Sequence, residues 1–293
     1  MRLQAARDRL VLDDNLVVQG DNAPVLAALP EQTFDLIYVD PPFNTGRSQA
    51  RRTLSVTASP EGEREGFGGR RYSAQLLRTL SFEDSYANYL GFLEPRLRRA
   101  RELLAPHGTL YFHIDYREAH YCKLLLDEVF GREAFLNELI WAYDFGAKPR
   151  RRWPAKHDTI LVYVRTPGGH HFDPDAVERE PYMAPGLVGP EKARRGKRPT
   201  DVWFHTIVPT NGSEKTGYPT QKPEGVLRRI VAASSRPGGW CLDPFAGSGT
   251  LGAVCQKLGR RFVLVDKSPV AISTIRGRLG EPSVSRLPLK AAG

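Results

Sequence analysis

Asp243-Pro244-Phe245-Ala246-Gly247-Ser248-Gly249-Thr250 stands between the apolar run Trp240-Cys241-Leu242 and a segment whose Leu251, Val254, Cys255 and Leu258 recur at helical spacing. A strand, a glycine-rich turn and a helix in that order form the start of a unit that holds a nucleotide-like cofactor. Gly247, Gly249 and Gly252 satisfy G-x-G-x-x-G, and Asp266 follows the next apolar run, Phe262 to Val265, 19 residues after Gly247. A carboxylate so placed takes ribose hydroxyls, which a plain tight turn does not require. An ATP-type phosphate loop needs lysine before the hydroxyl residue, and here Gly249 precedes Thr250. A dinucleotide meets the glycine spacing, but Asp243 at the strand end would repel a pyrophosphate on the helix N-terminus. The same carboxylate favours a positively charged cofactor, such as the sulfonium and ammonium of S-adenosylmethionine.

On either side of this turn, short apolar runs alternate with helical patterns, which predicts an α/β fold with a doubly wound, mostly parallel, seven-stranded sheet. Leu16-Val17-Val18 and Phe34 to Val39 read as strands around a helix carrying Val25, Leu26 and Leu29. Leu90, Leu93, Leu97, Ala100 and Leu104 mark a helix broken at Pro106-His107-Gly108, followed by a strand over Thr109 to Ile114 and a helix with Leu124, Leu125 and Val129. Residues 137–142 and 159–164 read as an antiparallel pair. Pro223 begins a helix with Val226, Leu227, Ile230 and Val231, and Ser268-Pro269 caps another bearing Ile272, Ile275 and Leu279. The expectation is one domain over 1–293, in which the N-terminal strand before Asp21 meets the strands ending at Asp243 and Asp266.

Asp40-Pro41-Pro42-Phe43 follows the strand Phe34 to Val39. Two prolines stiffen the turn and fix the Asp40 carboxylate beside the Pro41 carbonyl. Two neighbouring acceptors suit an exocyclic amine with two N–H donors, and hydrogen bonding both frees the nitrogen lone pair to meet an electrophile. Phe43 offers an aromatic face for a flipped base. A rigid loop with a capping aspartate is the bland alternative, less plausible beside a methyl-donor turn.

These motifs together resemble the β-class amino-methyltransferases of DNA, the N6-adenine/N4-cytosine methylases that include type III modification subunits. The resemblance spans nearly the whole chain. It rests on Asp40 to Gly46, Phe82 to Tyr86, Leu93 to Leu97, Tyr111 to Asp115, Asn137 to Trp141, Lys156-His157-Asp158, Thr216 to Glu224 and Asp243 to Thr250. The amine motif precedes the cofactor turn, the permuted order that defines this class. The resemblance implies an S-adenosylmethionine-dependent methyltransferase fold and transfer of methyl to a base in duplex DNA. It implies Asp40, Pro41 and Phe43 as the catalytic set. It also implies that Asp21 contacts the cofactor adenine, Thr220 and Lys222 its carboxylate, Asp266 its ribose, and the Asp243, Phe245, Gly247, Ser248, Gly249 and Thr250 turn its centre. The family more often shows Glu where Asp266 stands. An acidic first residue in the amine motif points to adenine N6; N4-cytosine methylation uses the same machinery and stays open, as does a non-catalytic specificity subunit. Homodimers occur in the family, and a companion restriction endonuclease is compatible with it.

The net charge of +9 over 293 residues is unevenly placed. Residues 44–80 carry net +4 and residues 148–200 net +6, leaving −1 for the rest. The first segment is expected to be a mobile DNA-facing loop contributing Arg47, Arg51, Arg52, Arg70 and Arg71. The second is expected to be a target-recognition insert contributing Lys148, Arg150, Arg151, Arg152, Arg194, Arg195 and Lys197. Solvated charged surface is the competing explanation for any one of them. Three widely spaced cysteines give no disulfide or zinc pattern, and Cys241 and Cys255 fall on apolar faces. None follows proline, so cytosine-C5 chemistry is not expected. The seven histidines lack metal spacing. No apolar run nears the roughly 18 residues of a membrane span, so a cytoplasmic enzyme is expected.

Overall fold

A computed structural model describes residues 10–46, 49–59, 64–65, 71–82, 86–146, 149–209, 211–280 and 283–286. The elements run β1 (Leu16–Gln19), α1 (Asn22–Ala28), β2 (Phe34–Val39), β3 (Gln49–Ala58), β4 (Arg64–Glu65), β5 (Arg71–Phe82), α2 (Tyr89–Leu103) and β6 (Leu104–Asp115). They continue with α3 (Ala119–Phe130), β7 (Phe135–Ala142), β8 (His157–Val164), α4 (Pro190–Arg195), β9 (Val202–Phe204), α5 (Glu224–Ser234), β10 (Trp240–Asp243), α6 (Thr250–Leu258), β11 (Arg261–Asp266), α7 (Pro269–Leu279) and β12 (Ser283–Arg286). The chain divides into two compact units, one of residues 1–41 with 88–293 and one of residues 42–87.

The larger unit is built on a nine-stranded sheet in the order β12-β1-β11-β10-β2-β6-β8-β7-β9. All neighbours are parallel except β8, which runs antiparallel to β6 and β7. The expected meeting of the N-terminal strand with the C-terminal ones is present, since β1 pairs β11, β11 pairs β10 and β10 pairs β2. The sheet has nine strands rather than seven because β9 and β12 extend its two edges. The first is three residues long and the second reads Ser-Val-Ser-Arg, so neither carries the apolar run that marks a buried strand.

One face of the sheet is covered by α5, α6 and α7. Their Val226, Leu227, Ile230, Val231, Leu251, Val254, Cys255, Ile272 and Ile275 pack on Leu36, Tyr38, Tyr111, Cys241, Phe262 and Leu264. Side chains alternate across a strand, so Ile37, Leu110 and Phe112 point to the opposite face, where they too are fully buried. Helices α1, α2 and α3, each packed on the next, cover that face. The helix α3 buries Cys122, Leu125, Leu126 and Val129, while Leu124 is exposed. Cys122, Cys241 and Cys255 are free and buried, and burial pushes the Cys122 thiol up to about 12. No described helix is long and apolar enough to cross a membrane.

The smaller unit takes in the expected DNA-facing loop over 44–80. It is a three-stranded antiparallel sheet in the order β3-β5-β4, with Gln49 opposite Phe82 and Ala58 opposite Tyr72. Its strands alternate apolar and polar residues only over short stretches, Leu54 to Ala58 in β3 and Tyr72 to Leu76 in β5, among arginine, serine and threonine elsewhere.

Candidate active site

Five aspartates stand at or just beyond the carboxyl ends of five adjacent parallel strands: Asp21 after β1, Asp266 on β11, Asp243 on β10, Asp40 after β2 and Asp115 on β6. Chain connections diverge between β10 and β2, the topological switch point at which open α/β sheets bind ligands. Asp243 and Asp40 flank that point.

Asp243 is the most buried member, 3% exposed. Burial pushes its carboxyl well above the ordinary carboxylate range; the Phe245 N–H it accepts at 2.9 Å opposes this, and the charges of Asp40 and Asp266 add to it. Asp266 accepts from the backbone N–H of Gly247 at 2.9 Å and of Ser268 at 2.8 Å. Burial still raises it. Two neighbouring carboxylates held against their preference for water form a site that a cation would relieve.

The turn between them is shaped by its glycines. Gly249 caps α6 at φ +72°, and a Cβ there would stand 2.8 Å from Cγ1 of Ile275. At Gly252 a Cβ would meet Leu264 Cδ1 at 2.7 Å, so helix and strand approach as closely as the motif requires. Phe245 packs at a tilt against Phe92, with ring centres 6.2 Å apart, and the Phe92 ring also carries Arg96 at 3.9 Å. Asn22 donates to the Pro244 carbonyl at 2.8 Å and accepts from Arg96 at 2.6 Å, tying α1 to the turn. Asp21 is half exposed, caps α1 by accepting from Ala23, and pairs with Arg96 at 3.2 Å.

Ser248 and Thr250, two of the expected cofactor-binding residues, direct their hydroxyls into the protein. Both are buried, and their hydroxyls bond each other at 3.1 Å. Thr250 also donates to the Lys222 carbonyl at 3.1 Å and accepts from Arg278 at 3.0 Å. They brace the turn against the loop before α5. That loop is held by Gln221, which accepts from Thr216 and donates to the Glu214 carbonyl. Thr220 within it adopts φ +58°, an uncommon conformation for a β-branched residue and one typical of ligand-holding loops.

Lys222, expected at the cofactor carboxylate, stands beside the amine motif. Its ammonium reaches both oxygens of Asp40, at 2.8 and 2.6 Å, with both side chains mostly buried. This lysine therefore pairs with the aspartate that is expected to bind the target amine. Pro41 is buried behind Asp40, while Phe43 belongs to the smaller unit.

Beneath this edge lies a buried polar chain that sequence reading did not single out. Tyr38 bonds His113 Nδ1 at 2.6 Å, His113 Nε2 bonds Asp158 at 3.2 Å, and Tyr143 donates to Asp158 at 3.0 Å. Burial pushes Asp158 up, but His113, Lys222 and Tyr143 together bring it below its usual value. Tyr38 is pushed far up by burial and by the charges of Asp40, Asp243 and Asp158. Tyr218 is another missed residue: its ring edge lies 3.3 Å from where a Gly247 Cβ would stand. The signal available in the sequence was a histidine and a tyrosine on the core face of buried strands.

The structure separates the basic residues. Arg150, Arg151 and Arg152 are exposed between β7 and β8, and Arg71 is exposed on β5. Arg47, Arg70 and Lys148 lie outside the described residues, as do the side chains of Arg51 and Arg52. The segment 148–200 is not one insert, because His157–Val164 is the buried strand β8. Arg194 and Arg195 are exposed on α4, and Lys197 pairs with Glu180, which in turn pairs with Arg229 of α5. Of these, Lys197 is tied to the α5 flank through Glu180.

Comparisons with known proteins match this geometry. A family model described as DNA methylase, that of the N6/N4 methyltransferases, matches residues 34–276. The type II methyltransferase M.HpaI of Haemophilus parainfluenzae is 28% identical over 266 residues, 91% of this chain and 74% of that protein. The DNA adenine methyltransferase YhdJ of Escherichia coli K12 is 27% identical over 274 residues, 91% of this chain and 83% of its own. A putative DNA modification methylase from Thermus thermophilus, solved with S-adenosyl-L-methionine, shares the fold at TM-score 0.57 and 21% identity, covering 94% of this chain and all of that one. With its family model covering the strands that carry both Asp40 and Asp243, the chain belongs to the N6/N4 DNA methylases.

Proposed function

We propose that this protein transfers a methyl group from S-adenosylmethionine to the N6 amine of adenine in duplex DNA, at a specific sequence and with the base flipped out of the helix. The observation that carries the reading is the placement of Asp40 and Asp243 on adjacent strands at the switch point. An amine acceptor stands beside a buried carboxylate that favours a cation. The donor fits the residues present: Asp243 and Asp266 offer negative charge to a sulfonium and to ribose hydroxyls, Phe245 and Asp21 flank the turn, and the glycines leave room for a close approach.

When bound, S-adenosylmethionine supplies an electrophilic methyl group on a positively charged sulfur. The protein does the rest by positioning. Asp40 and the Pro41 carbonyl accept the two N–H bonds of the target amine and turn its lone pair toward the methyl group. Lys222 holds both oxygens of Asp40 and so fixes the carboxylate before a base arrives. Phe43 stacks on the base, a role that rests on its position in the motif. The amine proton passes to Asp40 or to water as the new bond forms.

Adenine is favoured over cytosine because the amine motif begins with an acidic residue, and the relative named a DNA adenine methyltransferase supports the choice. Arg150–Arg152 and Arg71 are the described basic residues offered to the DNA backbone. Homodimerisation, a companion restriction endonuclease and a cytoplasmic site of action belong to the same reading. Digesting methylated DNA and identifying the nucleoside tests the base assignment. N6-methyladenine is expected, and N4-methylcytosine would replace it with the alternative.

A further inference from the structure

Trp153 is 94% exposed, with Phe145 at 65% and Phe204 at 78% on the same rim of the larger unit. A tryptophan gains little by standing in water, and one so exposed beside Arg150, Arg151 and Arg152 suits a polyanion with flat apolar rings. The loop that carries it leaves β7 at Ala142 and enters β8 at His157, residues paired to each other across the hairpin. Its base is braced by Tyr143 N–H donating to the Lys156 carbonyl at 2.8 Å. The Lys156 ammonium, in turn, donates to the carbonyls of Phe145 at 2.8 Å and Gly146 at 2.9 Å. Arg152 reaches Tyr116, just past β6, at 3.2 Å. The loop therefore stands at the carboxyl edge of the sheet, and β8 is two strands from β2 and Asp40. At about 4.8 Å per strand, its root is on the order of 10 Å from the amine site. That is within reach of the gap a flipped base would leave.

We propose that Trp153 is a wedge that enters the base stack beside the target and holds the duplex open, while Arg150–Arg152 grip the flanking phosphates. The proposal rests on the DNA-methylating function above. Extrusion of a base from a duplex costs a few kcal/mol, least where pairing is already weak. An apolar ring inserted at the vacated step offsets part of that cost. The wedge is therefore needed on paired DNA and dispensable where the target is mismatched.

The test compares wild type, Trp153→Ala and Trp153→Phe on two duplexes carrying the site found by sequencing modified genomic DNA, one fully paired and one mismatched at the target base. With alanine, methylation of the paired duplex is expected to fall about tenfold or more, and that of the mismatched duplex to stay within about threefold of wild type. Phenylalanine restores most of the paired-duplex rate. An equal loss on both duplexes makes Trp153 a plain contact residue and overturns the wedge, as does no loss at all. A partner other than DNA at this rim would give the second result. If the wild-type protein labels neither duplex, the DNA-methylating function itself falls, and the wedge with it.

Discussion

Asp243 shows how a residue can be placed against its own preference. Its carboxyl is raised by burial and by its neighbours Asp40 and Asp266, with the Phe245 N–H only partly compensating. In the folded protein it keeps a proton that the unfolded chain releases near 3.8. Its contribution to stability is therefore fully present below 3.8 and is lost as pH rises through the raised value. A cationic cofactor selects the ionised form, so binding should release a proton and tighten as pH rises through that value. Calorimetry in two buffers of different ionisation heat should detect the proton. Asp243→Asn, whose amide oxygen can still accept from Phe245, should abolish both the release and the pH dependence while leaving apo stability equal or higher. Unchanged cofactor affinity in that variant would remove Asp243 from the cofactor site.

At the scale of elements, the junction of β10 with α6 fixes where the cofactor turn can lie. Gly249 combines a left-handed backbone with a close approach to Ile275, whereas Gly259 at the other end of α6 has φ +66° and nothing within 4 Å of a Cβ. Gly259→Ala should cost only about 1 kcal/mol, the conformational penalty alone. Gly249→Ala adds overpacking and should cost roughly 2–4 kcal/mol in urea unfolding. Equal costs would mean that the Ile275 contact does not hold the turn. This junction was legible in the sequence because Gly and Asp mark the turn and the strands either side are continuous apolar runs. The three-stranded unit over 42–87 was not, because its period-two apolar pattern spans only Leu54 to Ala58 and Tyr72 to Leu76, on either side of a stretch rich in Gly, Glu and Arg that reads as a loop. The same holds for β9, which is too short to show one.

For the whole molecule, the catalytic arrangement joins parts far apart in the chain. Asp40 and Lys222 are 182 residues apart and meet only because the loop before α5 passes over the switch point. Sequence motifs singled out both residues but not their pairing, since spacing along a chain holds no record of which acidic group a lysine will face. The Tyr38–His113–Asp158 chain spans β2, β6 and β8 and was hidden for the same reason. The charge excess, which divided into two sequence segments, resolves further in space: Arg152 reaches Tyr116 just past β6, while Lys197 is tied through Glu180 to Arg229 of α5. The most direct test of the account is transfer of labelled methyl from S-adenosylmethionine to duplex DNA by the wild-type and Asp40→Ala proteins, with cofactor affinity measured alongside. The account predicts labelled DNA from the wild type, a loss of about 100-fold or more in the variant, and cofactor affinity within about threefold of wild type. Methylation by Asp40→Ala at the wild-type rate would contradict it.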